Sequence, residues 1–212
     1  VTPQTDGKIL VGGSNSGHFI IARYNTDGSA DTGFDGDGKL TTIFSNNQAP
    51  TWDYPAVSNA IAVQADGKII VVGNAGVDGF AVARYNYDGS PDNSFDGDGK
   101  LITDIGPSRD AAYTQAVQAD GKILVAGVSF NETHYDFAMI RYNADGSLDN
   151  SFDADGKLTT NAGFSCDVHS IAIQADGRIV LAGNSADRKI QKSVLIRYNT
   201  DGSIDETFGL DG

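Results

Sequence analysis

The chain has 212 residues, 40% hydrophobic and 20% charged, which supplies a core for an ordinary globular domain and rules out a fibrous or disordered composition. Its formal net charge of -13 comes from 26 Asp and only two Glu, and argues against nucleic acid and anionic membrane surfaces as partners, because both require Lys and Arg. No apolar run approaches the roughly 20 residues needed to cross a bilayer, so no membrane insertion is expected, and the single cysteine, Cys166, can form no internal disulfide.

The Asp bias has a local cause. A short motif reads QTDGKILVGG from Gln4, QADGKIIVVG from Gln64, QADGKILVAG from Gln118 and QADGRIVLAG from Gln174, with starts separated by 60, 54 and 56 residues. A longer motif, RYNxDGSxDxxFDxDGKL, follows each copy from Arg23, Arg84, Arg141 and Arg197, the last copy ending as FGLDG. Nineteen of the 26 Asp fall inside these motifs, where a short carboxylate bonds nearby backbone in turns, so the acidity is mostly turn chemistry. Periods of this size with strand-like content indicate a propeller or another repeat array.

Taken in order through the second copy, residues 60–64 read as a first strand, closed by the turn Ala65-Asp66-Gly67. Residues 68–73 form a second strand whose centre, Ile69 to Val72, is apolar at every position, as required of a strand covered on both faces. Residues 80–86 form a third, with Phe80, Val82 and Arg84 on one face and Ala81, Ala83 and Tyr85 on the other. The short, partly polar segment 100–104 suits an outer edge strand. Helices are disfavoured, since Gly or Asp-Gly interrupts the β-branched runs at short intervals, and a sandwich would alternate apolar with polar residues. The expected fold is therefore all-β: a β-propeller built from four repeats of about 55 residues, each a four-stranded antiparallel blade, at roughly residues 1–42, 43–103, 104–160 and 161–212.

Both motifs resemble the bacterial delta-60 repeat family, and the resemblance covers nearly the whole chain in four copies. It implies propeller blades, a secreted or cell-surface location in a large bacterial protein, and adhesion-like neighbours. It carries no reaction or catalytic residues, so the chain is expected not to be an enzyme. Two positions depart from the pattern: Pro3 stands where Val63, Val117 and Ile173 stand, and Gly209-Leu210 replace Asp-Gly or Asp-Ala. Pro cannot donate to a ladder, so the first strand of repeat one is expected to be an edge or to be misaligned. Residues 1–4 align with 61–64, and Gly212 precedes the position where other copies read KLTT or KLIT; this predicts a segment of a larger array, whose partners are further repeats or another chain.

Comparison of the four copies separates constant from variable parts. The turns joining strands one to two and three to four are nearly constant, whereas residues 14–18, 74–79, 128–136 and 184–193 differ in length and chemistry, as do the links between repeats. Recognition is expected on that variable side. Candidate ligand or partner residues are Trp52, Asp53 and Tyr54 in the longest link, with Phe130, His134 and Tyr135 in repeat three. The expected function is a surface scaffold for adhesion, protein interaction or assembly; the alternative is a glycan-binding propeller that uses these aromatics, and a hydrolase or lyase is the outside reading.

The Asp-rich loops have two readings. Asp27, Asp31, Asp35 and Asp37, then Asp88, Asp92, Asp96 and Asp98, then Asp145, Asp149, Asp153 and Asp155 offer oxygen ligands for calcium, although no Gly or Glu falls where an EF-hand needs it. Equally, they can accept backbone N–H groups in turns. No other cofactor is expected. Arg23, Arg84, Arg141 and Arg197 recur at one place in strand three beside apolar residues, which predicts a structural clamp onto acidic residues of the following loop. His18, His134 and His169 show no zinc spacing, and Cys166 lies near His169 with no third residue to orient the pair.

Overall fold

The computed structural model describes residues 1–44, 56–76, 79–187 and 190–209, and among these it contains strands and turns but no helix. The chain divides into two compact units, Val1–Thr103 and Asp104–Gly212. In the first unit β1 (Thr2–Pro3), β2 (Ile9–Asn15), β3 (His18–Tyr24) and β4 (Lys39–Thr42) make one antiparallel sheet, and β5 (Val57–Val63), β6 (Ile69–Asn74), β7 (Phe80–Tyr85) and β8 (Lys100–Thr103) make a second. In the second unit β9 (Ser108–Val117), β10 (Ile123–Phe130), β11 (Tyr135–Tyr142) and β12 (Lys157–Thr160) form the third sheet. There β13 (Ser165–Ile173), β14 (Ile179–Asp187) and β15 (Ile190–Tyr198) form the fourth.

Strands follow one another in each sheet, so every connection is a hairpin, as the two-motif repeat requires. Three sheets have the expected four strands. The fourth has three among the described residues. Pro3 sits in β1 at the sheet edge, opposite Ile9, where its missing N–H costs no ladder bond.

Central strands are buried on both faces: Ile69 to Val72 and Phe80 to Ala83 are all at 0% exposure. One core in the first unit joins Leu10, Phe19, Ile21 and Phe34 of sheet one to Ile69, Val71, Ala83 and Tyr85 of sheet two. The corresponding core of the second unit joins Leu124, Phe137, Met139 and Phe152 to Ile179, Leu181, Ile196 and Tyr198. The same sequence positions build both, so each adjacent pair of sheets repeats one packing solution.

Three of the four first strands carry an irregularity: the register slips between Ser58 and Ala60 in β5, near Gly127 in the β9–β10 pair, and between Val168 and Ser170 in β13. The motif-ending glycine of the second strand faces that bulge. A Cβ on Gly73 would lie 1.8 Å from the Val57 carbonyl oxygen, and one on Gly127 would lie 1.9 Å from that of Ala111. Here glycine is required for close backbone approach rather than for a turn.

Candidate functional site

The constant end of each blade is organised by the strand-three arginine. Arg84 Nε donates to Asp92 Oδ2 at 2.6 Å, and the guanidinium lies 4.6 Å from the Phe95 ring centroid. Arg23 with Asp31 and Phe34, Arg141 with Asp149 and Phe152, and Arg197 with Asp205 and Phe208 repeat the arrangement, with Nε–Oδ2 distances of 2.6, 2.6 and 2.8 Å. A cation from the short motif meets the same carboxylate: Lys8, Lys68 and Lys122 at 2.7 to 2.8 Å, and Arg178 at 3.2 Å. The arginine also reaches the neighbouring sheet of its unit, with Arg23 Nη1 donating to the Tyr87 carbonyl and Arg141 Nη1 to that of Thr200. A side chain this buried needs such partners, and it welds one blade to the next.

These contacts set the acidity of the carboxylates. The Lys8 hydrogen bond, aided by Arg23 and opposed by burial, lowers Asp31 to about 2. Burial pushes Asp92 and Asp149 upward, but Lys68 and Lys122, the Ser94 and Ser151 hydroxyls and the arginines outweigh it and hold both well below the usual carboxylate range. A group whose folded pKa lies below its unfolded value of about 3.9 stabilises the fold above that pH and loses its contribution as pH falls through the folded pKa. The Asp31 contribution should therefore decay between about pH 4 and pH 2, with those of Asp92 and Asp149 lost at still lower pH. Thermal melts by circular dichroism should show Tm falling steeply below about pH 4; a Tm that holds or rises on acidification would contradict the pairing.

The other Asp residues of the loops are dispersed by turn geometry. Asp27, Asp88 and Asp145 each accept the N–H and hydroxyl of the serine two residues on, and Asp37, Asp98 and Asp155 each accept the N–H of the lysine two residues on. Asp35, Asp96 and Asp153 are exposed and take positive φ near 50°. Among the described residues no three His, Cys, Asp or Glu side chains gather as a metal site. Asp31, Asp92 and Asp149 thus face cations, and Asp27, Asp37, Asp88, Asp98, Asp145 and Asp155 face backbone N–H groups, the turn bonding that the sequence offered beside calcium.

At the opposite, variable end, Trp52, Asp53 and Tyr54 lie outside the described residues. In repeat three the expected loop is largely strand: β10 and β11 run on to Phe130 and Tyr135, leaving a four-residue turn. Its polar residues disguised a ladder that extends beyond the core. Asn131 Oδ1 accepts N–H groups from Thr133 and His134, both at 3.1 Å, while its amide nitrogen donates to Asp136 Oδ2 at 2.7 Å. His134 Nε2 lies 2.6 Å from the Asn161 amide and 3.2 Å from Asp136 Oδ1, and its ring stacks on Phe164 at 6.0 Å. Phe164 is 45% exposed, and Phe130 packs on Tyr135 with centroids 5.0 Å apart. The structure therefore joins one expected residue, His134, to a set the sequence reading missed, Asn131, Asp136, Asn161 and Phe164, while the expected Phe130 and Tyr135 pack on each other. Asn161 and Phe164 belong to the link between repeats three and four, and the one available signal was an aromatic beside a glycine in a variable link.

The remaining candidates are scattered. His169 lies 2.8 Å from the Asn184 amide, and Cys166 is buried, its thiol pushed up by burial and so a weaker nucleophile.

The repeated sheets and clamps are those of a β-propeller. The family described as "Domain of unknown function (DUF5122) beta-propeller" matches residues 4–34, 64–95, 118–152 and 174–208, each match spanning the short motif and the clamp of one repeat. The chain belongs to this family. No curated protein matches it. Among solved structures, an endo-arabinase from Bacteroides thetaiotaomicron is similar at 12% identity and a TM-score of 0.43, over 94% of this chain and 78% of that one. A protein described as a glycoside hydrolase is similar at 14% identity and a TM-score of 0.40, over 94% of this chain and 49% of that one. An alpha-L-arabinanase from Cellvibrio cellulosa, complexed with arabinohexaose, is similar at 14% identity and a TM-score of 0.37, over 95% of this chain and 77% of that one. The likeness is one of fold. It nonetheless corrects the expectation that the chain is not an enzyme, because proteins described as arabinanases and a glycoside hydrolase stand among its neighbours and blade repeats are no ground for excluding catalysis.

Proposed function

We propose that the protein is a recognition scaffold of delta-60 type, exported to the bacterial surface or medium, whose clamped blade ends hold the variable hairpin ends for a partner to engage. The observation that carries this reading is the division of labour within each repeat. One end is pinned by the same Arg–Asp–Phe arrangement four times, while the other collects unlike chemistry. A carbohydrate ligand is the second reading, favoured by the half-exposed Phe164 ring beside the amides of Asn131 and Asn161 and the carboxylate of Asp136. Ring faces and convergent donors and acceptors of this kind suit sugar hydroxyls and C–H faces.

A glycan array followed by titration of any hit separates the two. If a sugar is the ligand, Phe164→Ala should weaken binding about 30-fold, the effect of losing about 2 kcal/mol at an aromatic hot spot, with the melting curve unchanged. Silence across the array removes the sugar reading. The scaffold reading then rests on whether the purified protein binds bacterial or host surfaces, and fails if it binds none.

A further inference from the structure

The hairpin end of the third sheet holds one imidazole whose hydrogen bonds fix where its proton sits. Asn131 Oδ1 accepts the N–H groups of Thr133 and His134, both at 3.1 Å, so its amide nitrogen points the other way, to Asp136 Oδ2 at 2.7 Å and His134 Nε2 at 3.0 Å. Asn161 is oriented by the same means: its Oδ1 accepts the Gly163 N–H at 3.0 Å, which leaves its amide nitrogen facing His134 Nε2 at 2.6 Å. Two amide donors converge on Nε2, which must therefore be the acceptor. The neutral ring then carries its hydrogen on Nδ1, where Thr133 Oγ1 receives it at 2.8 Å, and the Thr133 hydroxyl donates in turn to Asn131 Oδ1 at 2.7 Å.

In this arrangement every donor has an acceptor, but one acceptor lacks a donor. Asp136 Oδ1 is buried, takes no hydrogen bond, and lies 3.2 Å from His134 Nε2. A buried carboxylate oxygen left in this way is costly, and a hydrogen on Nε2 would satisfy it. The same hydrogen would confront the Asn161 amide donor at 2.6 Å. Nε2 can accept from Asn161 or donate to Asp136, and the two states exclude each other. The titratable groups around the ring are Asp136 on β11, the exposed Glu132 in the turn, and Cys166 on β13, whose thiol is pushed up by burial and further by the Asp136 carboxylate. Residues 161–164 bring no charge, and His134 is the one cation-forming group that Asp136 meets among the described residues.

We propose that this hairpin end is a proton switch: neutral His134 holds Asn161 and Phe164 of the following link against the hairpin, and protonated His134 donates to Asp136 and releases them. The proton passes from solvent to Nε2, and nothing else is transferred. Imidazole is the side chain whose charge ordinarily changes between about pH 8 and pH 5, so the switch operates above the acid range in which the carboxylate clamps fail. Asn161 cannot turn its amide round without giving up the Gly163 N–H, so the link moves as a piece and carries the Phe164 ring off the imidazole on which it stacks. The device needs no ligand. Its consequence for a bound sugar, release on acidification, rests on the carbohydrate reading.

Nitrogen-15 NMR of the labelled whole chain, titrated without ligand from about pH 8 to about pH 5, tests the proposal. At the alkaline end the His134 ring should carry its hydrogen on Nδ1. As the ring takes up the second proton, the Asn161 side-chain amide and the Phe164 backbone amide should shift with the same midpoint. Asp136→Asn keeps the shape and removes the charge, and should move that midpoint toward acid by about one pH unit, a tenfold higher proton concentration. His134→Gln offers Asn161 an acceptor that does not titrate, and should leave both amides unmoved throughout; it carries the test alone if the buried Asp136→Asn does not fold. A ring protonated on Nε2 at the alkaline end overturns the proposal. So does a His134 titration that Asn161 and Phe164 do not follow, an Asp136→Asn midpoint equal to that of the wild type, or amide shifts that persist in His134→Gln. None of these readouts involves a sugar, so the switch and the carbohydrate reading can fail separately.

Discussion

Replacing Arg84 with alanine should lower the stability of the protein by about 3–5 kcal/mol, because removing one partner of a buried pair strands the other. Asp92 is 5% exposed and accepts from Arg84 at 2.6 Å and from Lys68 at 2.8 Å. Lys68 remains in the variant, which places the loss toward the lower end of that range, while the Phe95 ring loses its stacking partner. For a chain of this length each kcal/mol shifts Tm by about 2–4 °C, so a drop of roughly 6–20 °C is expected. Arg84→Lys should recover only part of it, because an ammonium cannot reproduce a planar fork that bonds a carboxylate, contacts Ser94 and stacks on a ring at once. Equal and small losses for both variants, measured by thermal or urea unfolding, would show that the pairing contributes little.

Gly73→Ala should cost about 3 kcal/mol, at the upper end of typical overpacking penalties, because the methyl would overlap a backbone carbonyl held in a bulge rather than a movable side chain. The chain supplies its own control. Gly13 holds the same place in the first motif, but β1 spans only Thr2–Pro3 and does not reach it, and nothing lies within 4 Å of an added Cβ. Gly13→Ala should change stability by no more than about 0.5–1 kcal/mol, in either direction. Parallel urea titrations of the two variants test the claim, and similar losses would locate the role of this glycine in strand flexibility instead of close approach.

That contrast shows how far the residues alone could speak. The β-branched runs such as Ile69 to Val72, punctuated by Asp-Gly, made the strands legible because both signals are local, and four copies gave the period. The partner of Arg84 was also within reach, since a buried cation eight residues before an aspartate leaves few alternatives. The bulges were not legible. Nothing near Gly73 in sequence reports the Val57 carbonyl, so the glycine reads as the end of a strand. The cluster at His134 was half legible for a related reason: Asn131 and Asp136 sit beside it in the chain, but Asn161 and Phe164 arrive from the next link. In the Asp-rich loops composition offered both a ligand shell and turn bonding, and could not assign to each carboxylate the amide or cation that it meets.

The carboxylate shared between the two motifs has one more consequence. The cation of the short motif meets it across sequence separations of 23, 24, 27 and 27 residues, at 2.7 to 3.2 Å in every repeat. Residues added or removed in the intervening hairpin change its reach without altering the ionic knot at its base, so mutation can lengthen one hairpin while the blade that carries it stays in place. The fold thereby uncouples innovation from stability, and new hairpins can be tried one repeat at a time with three others left as they were.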